Sequence, residues 1–426
     1  MVFIYSILYL IIVVSLILML FNSKFSTYVL IFVVLAPMSA VLPSESLLIN
    51  GLNIIELLHV LFIVKCFLHR SSFRSSLPLS DLQKYAIYLT VFFIAIYYST
   101  IHVKTYIFIT HSHISFSKLI IHLIKGLLTT ICIIMIIKCS NNPEVIKSIK
   151  KGLIWGFIFY GISVFFSEVF IELGLDIGDR LDHGYYKGDS IWLQRGSGLI
   201  NGDGALAAHY FSLGAAFFLS IYEKSKRPKY ILGIMLMFLA TIYTASRTCS
   251  VILVLILSLY TLKNIRRNMF GTIVVLSLTL FLFYSTGNYL IERMFELGEG
   301  YYLEETGRFV YQAYYLNEMI NNPKYFLTGY TERSSLPKWR NPHNQFFGTV
   351  YWGGLLYLFA FLAILFNIYR QNRMLNKSSG SITLLYVFIA FCLPYFFNPD
   401  SFILYFPIII SISQNYFQAN TNLKIN

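Results

Sequence analysis

Charge is scarce in this chain: 12% of its 426 residues are Asp, Glu, Lys or Arg, whereas 57% are hydrophobic. A soluble chain of this length would form two or three domains, but here the apolar residues fall in runs of about 20, the length of a membrane-spanning helix. Backbone in hydrocarbon must satisfy its own hydrogen bonds, so each run is expected to be helical. The composition therefore predicts an all-α polytopic membrane protein, with residues 1–426 as one transmembrane domain.

Motifs of nucleotide and metal chemistry are also missing. The sequence contains no Walker A, Rossmann glycine, HExxH or Asp-x-Asp pattern. We therefore predict neither a cofactor nor a metal, and a pre-activated lipid-linked donor fits better than a cytoplasmic nucleotide. The cysteines form no CxxC pair and lie in or beside apolar runs, so we interpret them as packing residues. They are Cys66, Cys132, Cys139, Cys249 and Cys392.

The apolar runs predict 12 or 13 transmembrane helices, because the first two and the last two runs leave the count open, and Pro394 and Pro399 interrupt the last pair. With 13 spans the N-terminus lies outside, and with 12 it lies inside. The runs cover about 2–21, 25–41, 47–64, 85–101, 119–137, 152–173, 204–222, 230–245, 249–262, 269–287, 346–369, 381–397 and 401–418.

The basic residues of the chain are concentrated in particular loops. Lys and Arg number 33 against 20 Asp and Glu, a net charge of +13. In a soluble protein this excess would suggest nucleic acid, but the basic residues here fill short loops, which is typical of cytoplasmic loops in membrane proteins. These loops lie at 65–84, 138–151, 224–229, 263–267 and 370–377. The pattern predicts no nucleic-acid partner, and it places 174–203 and 288–345 outside.

Both of these outer loops are long enough to fold. The larger, 288–345, is predicted to contain a helix from about Gly307 to Asn321, which Asn321-Asn322-Pro323 ends because proline cannot continue a helix. It finishes at a polar segment, Lys338 to His343, directly before an apolar run. We expect the chemistry here.

Three arginines stand at the outer ends of helices: Arg195, Arg247 and Arg308. Arg247 joins two apolar runs with almost no loop, and an arginine at mid-bilayer costs about 2.5–3.5 kcal/mol, less near the interface. It either snorkels to lipid head groups or holds a ligand. Three guanidinium groups from three segments would suit a lipid-linked diphosphate, because each fork matches two phosphate oxygens.

His343 and Asn344 are the candidate catalytic pair. A neutral imidazole at a helix entry can accept a proton from a sugar hydroxyl, and the alternative is a histidine that caps the helix or binds head groups. The candidate glycan-binding residues are Trp339, Arg340 and Trp192. For the two tryptophans the reason is that an indole face suits the C–H face of a sugar. The alternative is that they belong to the aromatic belt at the membrane interface.

At these positions the chain resembles the superfamily of O-antigen polymerases and ligases. The ligase motif of His-Asn, nine residues and a glycine is matched by His343-Asn344 followed by Gly354-Leu355-Leu356-Tyr357. The superfamily's arginine motifs are matched by Arg195 to Leu199, Ser246-Arg247, and Gly307-Arg308 with Asn322-Pro323 and Gly329. Together these matches cover about 195–357, in the family's order.

The resemblance implies a GT-C-like, metal-independent glycosyltransferase of the bacterial inner membrane, with a periplasmic active site. Its substrate would be undecaprenyl-diphosphate-linked glycan, held by Arg195, Arg247 and Arg308, with His343 acting on the acceptor hydroxyl. Membrane lipid, a chain-length regulator and a flippase are the further partners. Phe (38) and Tyr (32) are frequent and Pro (11) is rare, which is the low-GC bias expected of polymerase genes in exchanged antigen clusters. By this association we expect a polymerase of O-antigen repeat units. An O-antigen ligase, a lipid-linked oligosaccharide flippase and a membrane O-acetyltransferase are the alternatives.

Overall fold

The structure is a computed structural model, and the part that it describes is helical, with no strand among the described residues. The described residues are 14, 16–21, 24–35, 37, 54–69, 124, 128, 131–132, 135–136, 142–167, 169, 198–200, 204–244, 246–264, 269, 273, 276–277, 280, 284, 313, 316–317, 319–328, 350, 354–355, 358–359 and 362. The all-α prediction is confirmed for these residues.

Seven α-helices have defined bounds. They are α1 Phe25–Leu35, α2 Ile54–Leu68, α3 Pro143–Ser163, α4 Gly204–Ser225, α5 Lys229–Tyr243, α6 Arg247–Asn264 and α7 Lys324–Thr328, and a 3-10 turn, Val164–Phe166, continues α3. Six of these helices, α1 to α6, coincide with predicted apolar runs. The apolar runs therefore located these six helices, although the ends of the helices differ from the predicted ones.

The helix α3 begins at Pro143 rather than at 152 because its start is capped. The side-chain oxygen of Asn142 accepts a hydrogen bond from the Glu144 backbone N–H at 2.9 Å, and Pro143 occupies the first helical position. Glu144 also places a negative charge beside the positive end of the helix dipole. With its 3-10 turn, α3 spans 24 residues, and among the described helices it alone is long and apolar enough to cross a membrane.

Small residues bring α3 against α1 in parallel orientation. A Cβ atom on Gly152 would lie 2.8 Å from the Leu30 carbonyl oxygen, and one on Gly156 would lie 3.8 Å from the Val34 Cα. Further along, the Tyr160 hydroxyl donates a 2.8 Å hydrogen bond to the Val34 carbonyl. The contacts advance in the same direction along both helices, so both begin at the same end of the bundle.

The helices α4 and α5 form an antiparallel pair that also packs against α3. Gly214 lies opposite Met237, and Gly233 lies opposite Phe218, so the two helices run in opposite directions. The ring of Phe157 on α3 contacts both Tyr210 and Phe217 on α4, with ring centroids 4.6 and 5.6 Å apart. These aromatic rings are buried and form the centre of the described core.

The helix α2 is antiparallel to α1 and extends past its predicted end. Phe32 stacks on Phe62 at 4.3 Å, and Phe25 stacks on His69 at 5.8 Å. We predicted that Lys65 opens a cytoplasmic loop; it instead lies in the last turn of α2, with its side chain buried. Its ammonium group donates to the carbonyl of Leu20 and lies 5.7 Å from the Tyr28 ring centroid, and these contacts keep the charge inside the helix bundle.

Candidate functional site

Most of the predicted site lies outside the described residues. This holds for the candidate catalytic, diphosphate-binding and glycan-binding residues His343, Asn344, Arg195, Arg308, Trp339, Arg340 and Trp192. It also holds for most of the outer loops 174–203 and 288–345. The structure does describe residues 198–200, which follow Arg195, the backbone of Arg247, and the end of the loop helix that is predicted to begin near Arg308.

Arg247 is the first residue of α6, and three residues separate it from the end of α5. Thr244 closes α5 by donating its backbone N–H to the Ala240 carbonyl at 3.2 Å, and its side chain is buried. The Ser250 N–H bonds the Ser246 carbonyl at 3.0 Å, so α6 forms its first turn at once. The nearly loopless junction predicted at Arg247 is therefore present; the Arg247 side chain is outside the description.

The segment after Arg195 is bonded to the end of α3. The Gly198 backbone N–H donates to the Ser167 hydroxyl at 2.9 Å, and the Leu199 N–H donates to the Ser163 hydroxyl at 3.1 Å. We call Ser163, Ser167, Gly198 and Leu199 the clasp. All four residues are buried. The clasp fixes a segment from the first outer loop to a helix that starts more than thirty residues earlier.

Each clasp hydroxyl is fixed by a second bond. Ser163 donates to the Tyr160 carbonyl at 2.8 Å, and Ser167 donates to the Val164 carbonyl at 2.6 Å. A hydroxyl has one proton, so donating it to a helix carbonyl turns the lone pairs outward as acceptors. Both serines therefore present an oriented acceptor to the incoming backbone, at the point where the last carbonyls of α3 lie.

Only glycine fits at position 198. Its φ angle is +60°, in the left-handed region that other residues avoid. A Cβ atom there would lie 2.5 Å from the Ser163 hydroxyl oxygen and 2.8 Å from the Val164 backbone nitrogen. The approach is therefore close enough for the two backbone N–H groups to reach the serines.

The clasp and the start of α6 lie at the same end of the bundle. The helices α3 and α5 are parallel, because Gly161 lies opposite Met237 and Phe165 contacts the ring of Tyr243 at 5.4 Å. The carboxyl ends of both helices therefore meet, and Arg247 follows Tyr243 by four residues. We call this the clasp end. It brings together two of the three chain segments that carry the predicted arginines.

The opposite end of the bundle is basic. The helices α1 and α3 are parallel, and α1 and α2 are antiparallel. The start of α1, the end of α2 and the start of α3 therefore lie at one end of the bundle, and the turn between α4 and α5 lies at the same end. The lysines and arginine described at this basic end are Lys24, Lys65, Lys147, Lys150, Lys151, Lys226, Arg227 and Lys229, with Glu144 beside them. The charged side chains that the structure describes in α1 to α6 therefore gather at this end of the bundle.

The predicted loop helix ends where the sequence indicated. Residues 313, 316, 317 and 319–321 are helical, and the helix stops at Asn321 before Asn322-Pro323. A new helix, α7, follows directly, and its Phe326 N–H bonds the Pro323 carbonyl at 3.1 Å. This confirms the carboxyl end of the predicted helix; its start at Gly307-Arg308 is outside the description.

The cysteines that the structure describes pack in the core. Cys66, Cys132 and Cys249 are buried, and none of these three forms a disulfide, which confirms the packing interpretation for them. The Cys132 thiol lies 3.5 Å from the His59 carbonyl oxygen. Within the described ranges no group of three or more His, Cys, Asp or Glu side chains gathers to hold a metal ion.

Comparison with known proteins gives no relative: no family model, curated protein sequence or solved structure matches this chain. The resemblance to O-antigen polymerases and ligases therefore rests on the motifs quoted above and stays a prediction. What the structure adds is the placement of two of those motifs, the one that follows Arg195 and the one that begins α6.

Sequence reasoning missed Ser163 and Ser167. The signal was present, because two serines four residues apart lie on one face in the second half of the apolar run 152–173, which leads into a glycine-rich loop. Within a helix, however, serine more often bonds its own backbone, and that is also what these two do. Their second role, as acceptors for another segment, depends on the fold.

Proposed function

We propose that this chain is a multi-pass inner-membrane protein that polymerises undecaprenyl-diphosphate-linked oligosaccharide repeat units into O-antigen polysaccharide. The observation that supports this most is the clasp end, because the segment after Arg195 and the start of α6 at Arg247 both lie at this end of the bundle, opposite the basic end. Two guanidinium-bearing segments at the end away from the lysines are what an external diphosphate site requires.

Rows of exposed apolar side chains support membrane insertion. Along α3 and its 3-10 turn, Trp155 is 61% exposed, and Phe159, Ile162 and Phe166 continue the same face at helical spacing. A second row runs along the helical residues between 269 and 284: Met269, Ile273, Leu276, Leu280 and Tyr284. Continuous rows of this size are rare on proteins that face water and are expected on helices that face lipid.

The charge distribution supports the proposed orientation. Lysines gather at the basic end, which the positive-inside rule assigns to the cytoplasm, so the clasp end faces the periplasm. Residues 16–21 end beside Lys65, because Lys65 donates to the Leu20 carbonyl. If residues 2–21 cross the membrane, they enter from the periplasmic side, which supports the arrangement of 13 spans.

The chemistry follows from charge and position. In the proposed GT-C-like reaction a hydroxyl of one lipid-linked glycan attacks the anomeric carbon of another. The bond from that carbon to the diphosphate oxygen breaks, a new glycosidic bond forms, and undecaprenyl diphosphate leaves. Arg195, Arg247 and Arg308 would stabilise the negative charge that develops on the leaving group. His343 would take the hydroxyl proton, with Asn344 beside it.

The remaining site residues would hold the sugars. Trp339 and Trp192 offer flat faces for the C–H surfaces of the glycan, and Arg340 offers donors to its hydroxyl groups. Arginine charge replaces the metal that many glycosyltransferases use, so the reaction needs no added cation. A chain-length regulator and the flippase that delivers the repeat units are the proposed protein partners.

The gene deletion separates this proposal from its rivals. Cells that lack the gene should carry glycan of a single repeat on their lipid A-core, and the wild-type gene should restore the ladder of longer chains on a gel. Glycan absent from the core, with polymer accumulating on undecaprenyl diphosphate, would identify a ligase instead. Single repeats that accumulate only on the cytoplasmic face would identify a flippase.

A further inference from the structure

We infer that Ser163 and Ser167 are positioning residues for the diphosphate site: through the clasp, they hold the chain segment that carries Arg195. This inference rests on the proposed function, since it assigns Arg195 a phosphate to bind. The observation behind it is independent of that function. Two backbone N–H groups from one segment bond two side-chain hydroxyls of one helix, in a buried setting.

The bonds of the clasp do more than satisfy the polar groups at the end of a helix. The hydroxyls are oriented by their own bonds to the Tyr160 and Val164 carbonyls, and each accepts one N–H from consecutive residues. Gly198 takes a left-handed conformation so that this approach is possible. After it, the Leu199 side chain is 9% exposed and the Ile200 side chain is fully buried. Polar and apolar contacts thus hold the same short segment.

The distance along the chain makes the clasp relevant to Arg195. Gly198 follows Arg195 by three positions, and an extended chain covers at most about 3.6 Å for each residue. Chain length alone therefore limits the distance between the Cα atoms of Arg195 and Gly198 to about 11 Å. Charge-assisted bonds to phosphate need donors placed to within tenths of an ångström, so the anchor would restrict where the guanidinium can bind.

The clasp predicts a binding phenotype that a packing defect would not give. We expect Ser163→Ala/Ser167→Ala to weaken binding of undecaprenyl diphosphate to the purified protein by about tenfold, or about 1.4 kcal/mol. Removing both acceptors frees the segment while Arg195 itself remains. Ser220→Ala is the matched control, because Ser220 is buried and its hydroxyl bonds the Phe217 carbonyl at 2.8 Å in the same helical geometry. Binding by the control should stay within about twofold of wild type.

A double-mutant cycle tests whether the serines act through the arginine. Arg195→Ala alone should weaken binding, and adding the two serine changes should weaken it no further. Hydrogen exchange at the Leu199 amide should accelerate in the double-serine variant and stay slow in the control. If that variant fails to insert, the single variants carry the same test, with an expected loss of about threefold each, since each leaves one bond in place.

The outcomes separate the inference from the proposed function. Wild-type binding by the double-serine variant, together with weak binding by Arg195→Ala, would overturn the clasp inference and leave the arginine's role standing. Wild-type binding by Arg195→Ala would overturn the arginine's role, and the clasp inference with it. Additive losses in the triple variant, or an equal loss in Ser220→Ala, would show that the serines act on packing alone.

Discussion

Adding one methyl group at Gly152 tests how closely α1 and α3 approach. A Cβ atom at this position would meet the Leu30 carbonyl oxygen at 2.8 Å and the Val33 Cβ at 3.1 Å. The first of these is a backbone atom, so it can move only if the whole helix moves. Gly152→Ala therefore has to push the two helices apart by a few tenths of an ångström.

The magnitude follows from two opposing effects. Overpacking a close contact costs about 1–3 kcal/mol. Replacing glycine with alanine inside a helix returns about 0.8–1.0 kcal/mol through the better helix propensity of alanine. We therefore expect Gly152→Ala to lower the free energy of unfolding by about 1 kcal/mol. The purified protein in mild detergent, titrated with a denaturing detergent, gives this free energy.

Gly161→Ala is the matched control on the same helix. Its Cβ atom would lie 2.5 Å from the Met237 Cε and 3.2 Å from the Leu236 Cγ. The methionine atom is the end of a flexible side chain, which can change rotamer at little cost. The propensity gain should then dominate, so this variant should be equal to wild type or up to about 1 kcal/mol more stable.

A hydrogen bond reports the movement directly. The Tyr160 hydroxyl donates to the Val34 carbonyl across the same helix pair. If Gly152→Ala separates the helices, that bond is already weakened. Tyr160→Phe should then lower the free energy of unfolding less in the Gly152→Ala background than in wild type. Equal stability of Gly152→Ala and Gly161→Ala, with additive effects of Tyr160→Phe, would refute the close approach of α1 and α3 at Gly152.

The other predictions concern the proposed site and its orientation. Arg247→Ala should abolish chain extension and Arg247→Lys should retain little, because a point charge cannot replace a bidentate fork; a normal glycan ladder from the alanine variant, at normal protein level on an immunoblot, would show that Arg247 only contacts lipid head groups. His343→Ala should slow polymerisation by about 10²–10⁴-fold with donor binding retained, and His343→Asn should be nearly as slow; full-length glycan in His343→Ala cells would remove the base from the mechanism. In a variant without other cysteines, Asp189→Cys should react with a membrane-impermeant maleimide in intact spheroplasts and Lys226→Cys should react only after lysis; the reverse pattern would place the proposed site on the cytoplasmic side.

The apolar runs located α1 to α6 well because burial in an apolar environment is a property of whole runs. The run at 204–222 became α4, and the one at 249–262 became α6 with its first residue at Arg247. The ends were less predictable. The capping bond of Asn142 and the burial of Lys65 depend on single side chains, so the composition of a run of twenty residues does not predict them.

The candidate site shows a similar division. The sequence predicted that Arg247 stands at a nearly loopless helix junction and that a helix ends at Asn321, because proline and short connections act locally. It did not predict that Ser163 and Ser167 bond the segment after Arg195, since that contact joins residues more than thirty positions apart. Such a contact depends on how α3 packs against α4, which hydrophobic pattern alone does not determine.

The most direct test of the proposed function is polymerisation by the purified protein. Undecaprenyl-diphosphate-linked repeat units, extracted from cells that lack the gene, would be incubated in lipid vesicles with the protein and a metal chelator, and the glycans separated on a gel. We predict a ladder of products that increases by one repeat unit per step, formed by wild-type protein and lost in His343→Ala. The account would be contradicted if the repeat units stay single with folded wild-type protein whose clasp end faces the side of the vesicle on which they are supplied.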